Sequence, residues 1–134
     1  RLAGKLDRVL VDAPCSGFGT LRRNPDLKWR HGPEAIEELA AKQRRILVAA
    51  ARLVKPGGRL VYATCSLLHE ENDAVADAFL AAHPEFQALS CAEILTAQRI
   101  ALDTGARLRL WPHRQGTDGF FGAAFVKIPY GDKA

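Results

Sequence analysis

The sequence predicts an α/β fold, and three features predict it. Two short apolar runs, Val9-Leu10-Val11 and Leu60-Val61-Tyr62, are rich in β-branched or aromatic residues and bounded by Pro or Gly, as buried strands are. A long helical pattern separates them, so the two strands should lie as parallel neighbours in one sheet. Each run leads directly into a cysteine: Cys15 in Asp12-Ala13-Pro14-Cys15-Ser16-Gly17, and Cys65 in Ala63-Thr64-Cys65-Ser66. Both thiols then stand at carboxyl ends of strands, where open α/β sheets bind their ligands. With neighbouring strands about 4.8 Å apart, the two can face one substrate.

The elements follow in order. Residues 7 to 11 form the first strand. Ala13 to Pro33, rich in Gly, Pro, Arg and Asn and without an apolar period, is a long loop of the kind that carries function. From Pro33 the residues Ile36, Leu39, Ala40, Gln43, Leu47, Ala50 and Val54 keep the helical period with one polar exception. Pro33 in the first turn and Gly57, after Pro56, are its expected start and stop. Arg59 to Thr64 is the second strand. Ser66 can cap a second helix with Val75, Ala78, Phe79 and Ala82 on one face, Glu70, Glu71 and Asp73 near its amino end, and Pro84 closing it. Phe86 to Leu89 reads as a short strand or as loop, and Ile94 to Leu102 as loop or broken helix. Arg107 to Trp111 alternates like a strand, and Phe120 to Ile128 is a long strand after the Asp118-Gly119 turn, so these two should pair as a hairpin.

At 134 residues the chain is one domain at most, and 48% apolar with 25% charged residues is ordinary globular composition. No stretch has the apolar length of a membrane span, and Arg1-Leu2-Ala3-Gly4-Lys5 lacks the apolar core of a signal peptide; a cytoplasmic location without membrane contact is the expectation. Three cysteines without C-x-x-C spacing argue for free thiols rather than a disulfide framework or zinc. Scattered histidines leave Cys65 and His69 without a second metal pair, so no metal is expected. A net charge of +4 mildly favours a polyanionic partner.

A single cysteine is most often a small, inert, buried hydrophobe, and Cys91 takes that reading. Cys15 and Cys65 depart from it because each lies just past a strand end. Methyl transfer to carbon 5 of cytosine uses such a set: a thiolate adds to carbon 6, a carboxyl group contacts the N3/N4 edge, and a base removes the carbon 5 proton. Asp12 and a second thiol can fill the supporting posts. Between Leu21 and His31, Arg22, Arg23, Lys28 and Arg30 face one acid, Asp26, with Trp29 among them. A solvated basic loop is the plain reading. Single-stranded RNA recognition needs the same chemistry, arginines for phosphate and a ring to stack on an unstacked base. Trp29 stacking on a base and Trp29 packing under the loop have equal standing. Gly17-Phe18-Gly19 reads as loop geometry.

The strings Asp12 to Gly19, Arg22-Arg23-Asn24-Pro25-Asp26-Leu27-Lys28-Trp29-Arg30, Lys55 to Ser66, Glu70-Glu71-Asn72 and Pro112 to Phe121 resemble the RNA (cytosine-5) methyltransferases of the Sun/Nop, RsmB-like type, which use S-adenosylmethionine. The similarity spans nearly the whole chain and is greatest to the bacterial enzymes acting on small-subunit ribosomal RNA. Ala63 stands where Ser is usual, and Asp73 where Glu is usual. The resemblance implies that Cys65 is the nucleophile and that Cys15 helps release the methylated product. Pro14-Cys15 taken alone would point to the other thiol, since DNA cytosine methyltransferases carry their nucleophile in a Pro-Cys pair. Asp12 matches a position near the methyl donor and the target base, and Arg22, Arg23, Lys28, Trp29 and Arg30 are the RNA-binding candidates.

The resemblance also implies the carboxyl half of a Rossmann-like methyltransferase sheet, strands 4-5-7-6 with the seventh antiparallel, the donor-binding half with its glycine-rich turn lying outside this chain. The isolated chain should then be inactive, bind the donor weakly or not at all, and either self-associate through the open edge at Val9-Leu10-Val11 or be loosely ordered near residues 1 to 30. The alternative is a catalytically incomplete domain that binds RNA or a partner; retention of both thiols and Asp12 argues against it.

Overall fold

A computed structural model describes residues 2–17, 32–100, 104–111 and 118–129. Strand β1 (Leu6–Asp12) runs parallel to β2 (Val54–Thr64), joined through helix α1 (Pro33–Ala51). A 3₁₀ turn (His69–Glu71) leads into α2 (Asp73–Ala82), then β3 (Phe86–Leu89), α3 (Cys91–Ala97), β4 (Leu108–Leu110) and β5 (Phe120–Lys127). The sheet order is β1-β2-β5-β3, with β4 also on β5. β5 is antiparallel to β2, β3 and β4. This is the expected 4-5-7-6 arrangement with its antiparallel strand, and the β4–β5 hairpin pairs as its alternation predicts.

Period-two alternation sorts the sheet's two faces. Val11, Leu60, Tyr62, Phe121, Ala123 and Phe125 point to one side, where they meet Leu47 and Ala51 of α1 and Val75, Ala76 and Phe79 of α2 in a single core. Phe79 is its aromatic hub, with Phe86 and Phe125 each 5.1 Å away and the His83 ring stacked at 4.4 Å. On the opposite side Leu10, Val61, Ala63, Leu108 and Ala124 line an apolar groove of about 250 Å³ with Cys91 and α3. Leu10 is 67% exposed at the β1 edge.

Several local expectations change. Val54 keeps the helical spacing of α1, yet α1 ends at Ala51 and Val54 is fully buried as the first residue of β2, paired with Leu6. Position 54 satisfies both periods, and the turn at Arg52-Leu53, whose Leu53 N–H donates to the Ala50 carbonyl, gives it to the strand. Pro56 and Gly57 therefore do not stop the helix; they form a bulge within β2. Lys55, Pro56, Gly57 and Gly58 stand opposite Asp7 alone, Gly57 takes φ +83°, and the Lys55 ammonium pairs with the Asp7 carboxylate.

Ser66 does not cap α2. Its hydroxyl accepts from the Leu68 N–H in a local turn, and the helix starts later, at Asp73. On α2 the buried face is Val75, Ala76 and Phe79, whereas Ala78 and Ala82 are exposed at the rim of a groove against Arg44 and Val48 of α1. Of the stretch whose sequence reads as either loop or broken helix, Ile94 to Leu102, the described part begins in the short helix α3, capped by Ser90, whose hydroxyl accepts from the Glu93 N–H. Cys91 is its first residue, half-buried rather than buried, with its thiol toward the Gly122 carbonyl at 3.7 Å.

At Gly58 a Cβ would lie 2.8 Å from Val54 Cγ1, 2.9 Å from the Lys55 carbonyl oxygen and 3.0 Å from the Asp7 carbonyl oxygen. Gly58→Ala must push backbone apart and is expected to cost about 1–3 kcal/mol, read as a lower urea midpoint of the intact protein. A second prediction concerns pH. Arg109 and Arg107 donate to Asp73 at 2.7 and 2.8 Å, tying β4 and its approach to α2, and these bonds hold the Asp73 carboxyl down at about 2 from an ordinary 3.8. A folded pKa below the unfolded one stabilises above pH 3.8, and this contribution drains away as pH falls toward 2. Asp73→Asn should cost on the order of 1 kcal/mol at pH 7, after solvent screening of a partly exposed network, and almost nothing at pH 2.

Candidate functional site

Parallel pairing of Val9 with Leu60 through Asp12 with Ala63 brings the two strands to a common end, and the Ala13 N–H extends the ladder by donating to the Ala63 carbonyl at 2.9 Å. Both chains then turn out of the sheet, and the two cysteines meet: Cys15 Sγ lies 3.3 Å from Cys65 Sγ. Both are free, half-buried thiols. Asp12 is exposed at the same end, three residues before Cys15. The structure thus brings together the two cysteines and leaves the carboxylate on the solvent side. Arg22, Arg23, Lys28, Trp29 and Arg30, like Phe18 and Gly19, lie outside the described residues.

Burial, then the hydrogen bond to Cys65 and its charge, push Cys15 up from 9.0 to about 12. Cys15 is therefore neutral at physiological pH. Whenever Cys65 ionises, the Cys15 S–H is the donor and the Cys65 sulfur the acceptor of the bond between them. No cluster of His, Cys, Asp and Glu able to hold a metal occurs among the described residues.

A buried polar shell supports both turns, and the sequence reading missed it. On the Cys15 side, Gln43 of α1 donates from Nε2 to the Pro14 carbonyl at 2.8 Å, and the Ser16 N–H and hydroxyl donate to Glu71 at 2.7 and 2.8 Å. On the Cys65 side, Thr64 donates through its hydroxyl to Asn72 Oδ1 at 2.6 Å, and Asn72 Nδ2 donates to the Ser66 carbonyl at 2.9 Å. Tyr62, in the core strand, donates its hydroxyl to the Glu71 carbonyl at 2.6 Å, and burial with the nearby Glu71 charge pushes its phenol upward. Glu71 reads in the sequence as an acid near the amino end of a helix, and it is wholly buried. Gln43, the one polar residue on the apolar stripe of α1, carried a readable signal: a polar side chain at a core position needs a partner. Its Oε1 has none among the described residues.

Beside the Cys65 turn a second cleft, of about 150 Å³, runs between Leu67 and His69 on one side and Leu110, Trp111 and Phe120 on the other. The Arg109 guanidinium sits 5.1 Å over the Phe121 ring at its floor.

Comparison with known proteins agrees with this geometry. The family described as 16S rRNA methyltransferase RsmB/F matches residues 1–126. A Bacillus subtilis protein named "Probable ribosomal RNA small subunit methyltransferase B" is 48% identical over 118 residues, 87% of this chain and 26% of its own length. Ribosomal RNA small subunit methyltransferase B of Sodalis glossinidius is 46% identical over 121 residues, 90% of this chain and 26% of its own. Among solved structures, PH0851 superposes with a TM-score of 0.83 at 43% identity, covering 93% of this chain and 27% of that one. NSun6 from Pyrococcus horikoshii with SFG gives 0.68 at 28% identity, covering 89% and 29%. The chain spans about a quarter of the length of the curated relatives it matches. With the family match running through both cysteine turns and the whole sheet, the chain belongs to the 16S rRNA methyltransferase RsmB/F family.

Proposed function

We propose that this chain is the carboxyl-terminal part of a methyltransferase catalytic domain that methylates carbon 5 of cytosine in RNA, small-subunit ribosomal RNA being the substrate class its relatives' names indicate. The observation that carries the reading is the pair of free thiols 3.3 Å apart at the carboxyl end of two parallel strands. S-adenosylmethionine supplies a methyl group on a cationic sulfur. The exposed Asp12 carboxylate at the end of β1 fits such a donor by charge, as one wall of its site. The related NSun6 structure was solved with SFG, an analogue of that donor.

Cys65 attacks. Its sulfur bonds to carbon 6 as the 5,6 double bond opens, and carbon 5 gains the electron density to take the methyl group. Cys15, as its thiolate, then takes the carbon 5 proton, the 5,6 double bond re-forms, and Cys65 leaves carbon 6 as a thiolate. Cys15 acts at this release step. Two of the three influences that hold its proton come from Cys65, and both weaken once that sulfur is bonded to carbon. The neutral Cys15 thus supports the ionised Cys65 before attack and becomes more readily ionised after it. The family resemblance supports this assignment of roles, and the 3.3 Å contact between the sulfurs is compatible with it. Arg22, Arg23, Lys28, Trp29 and Arg30 are proposed to grip the RNA, and no helix among the described residues is long and apolar enough to cross a membrane.

In the intact protein, Cys65→Ala should abolish both methylation and covalent trapping by an RNA carrying 5-fluorocytosine. Cys15→Ala should still attack but accumulate the enzyme–RNA adduct. Trapping that survives Cys65→Ala but not Cys15→Ala would reverse the roles. For the basic segment, Arg22→Glu, Arg23→Glu and Lys28→Glu together should weaken RNA binding. Each lost phosphate contact should reduce the slope of log affinity against log salt by roughly 0.7. An unchanged slope assigns those residues to folding.

A further inference from the structure

Glu71 is fully buried, and each of its carboxylate oxygens is spent on the same neighbour: Oε1 accepts from the Ser16 N–H at 2.7 Å and Oε2 from the Ser16 hydroxyl at 2.8 Å. No ion pair reaches it among the described residues. Taking a carboxylate out of water is costly, and the adjacent acid, Glu70, is exposed. Ser16 is the residue directly after Cys15. Asn72, directly after Glu71, holds the other cysteine's turn through Thr64 and Ser66. Two consecutive residues of one turn therefore bind the turns of both thiols.

We propose that Glu71 is a positioning residue that clamps the Cys15 turn against the Cys65 turn and so sets the separation of the two sulfurs. This deepens, and for its catalytic readout rests on, the two-thiol reading above. The role is geometric: the charge of Cys65 and burial, not Glu71, hold the proton on Cys15. A glutamine at 71 can keep the clamp, accepting from the Ser16 N–H through its oxygen and donating from its amide nitrogen to the Ser16 hydroxyl. Alanine cannot. Ser16→Ala removes one of the two bonds and leaves the backbone one.

The proximity of the sulfurs can be read without any methyl transfer. In a glutathione redox buffer the two thiols pass two electrons and two protons to one oxidised glutathione, giving a Cys15–Cys65 disulfide and two reduced glutathione molecules. The equilibrium constant of that exchange measures how closely the fold holds the pair. The test uses the intact protein and variants whose urea midpoints show them folded. Glu71→Ala is expected to lower both that constant and kcat by roughly tenfold or more, with KM for RNA within about twofold, and Glu71→Gln to restore both to within about threefold of the parent. Should Glu71→Ala not fold, Ser16→Ala carries the test, with an expected fall of roughly threefold in both. An unchanged disulfide constant in the folded variant overturns the proposal. So does a Glu71→Gln that falls as far as Glu71→Ala, which would make charge the cause. If the parent transfers no methyl group to RNA, the reading of the reaction fails, while the disulfide constant still decides the clamp.

Discussion

The parallel pairing of β1 with β2 is the constraint from which the site follows. A parallel ladder carries both chains toward the same end, so two cysteines separated by fifty positions in sequence arrive side by side. Every other arrangement of these strands parts them. An antiparallel pair would send Cys15 and Cys65 to opposite ends of the sheet, and a slip of one residue would turn Asp12 and Leu10 into the core and Val11 out of it. The bulge at Lys55 to Gly58 absorbs the irregularity near the start of the ladder, which leaves Arg8 with Arg59 through Asp12 with Ala63 in unbroken register.

On that frame, chemistry is differentiated by environment rather than by residue type. Cys15 and Cys65 have the same side chain, yet burial and the neighbouring sulfur keep one of them protonated far above its ordinary range. The polar shell behind them is nearly all satisfied: serine, threonine, asparagine, glutamate and tyrosine groups partner one another or the backbone of the two turns. In a low-dielectric interior such a network holds its geometry firmly, because each broken bond would strand a buried polar group.

Strands, α1 and the order of elements were legible because their signals are local and repetitive. Alternation in Phe120 to Lys127 and the helical spacing from Pro33 do not depend on distant partners. Val54 was misread for the same reason: its spacing satisfies the helix, and only the turn at Arg52-Leu53 decides otherwise. Glu71 and Ser66 were misread because an acid or a serine near a helix start is usually a helix-end charge or a cap. Their actual partners, Ser16 and Leu68, are set by tertiary packing and by a local turn. The meeting of Cys15 and Cys65 was readable from the strand ends, whereas the division of roles between them needed the family resemblance. The upward push on Cys15 depends on burial and on the neighbouring sulfur, which no local pattern encodes.

The placement of β5 bears on how the sheet is assembled. It enters between β2 and β3, although it follows both in the chain, and β3 has no other sheet partner among the described residues. Phe121 and Phe125, which close the core under α2, arrive with it. Before residues 120–127 dock, β2 presents a bare edge and Phe79 lacks one of its ring neighbours. Such long-range insertion raises the contact order and makes the step slow relative to forming the β1-α1-β2 unit. During biosynthesis the thiol-bearing unit can therefore form ahead of the strand that seals it, and the nascent chain passes through a state with an unpaired, apolar edge that is the natural point for a chaperone to act.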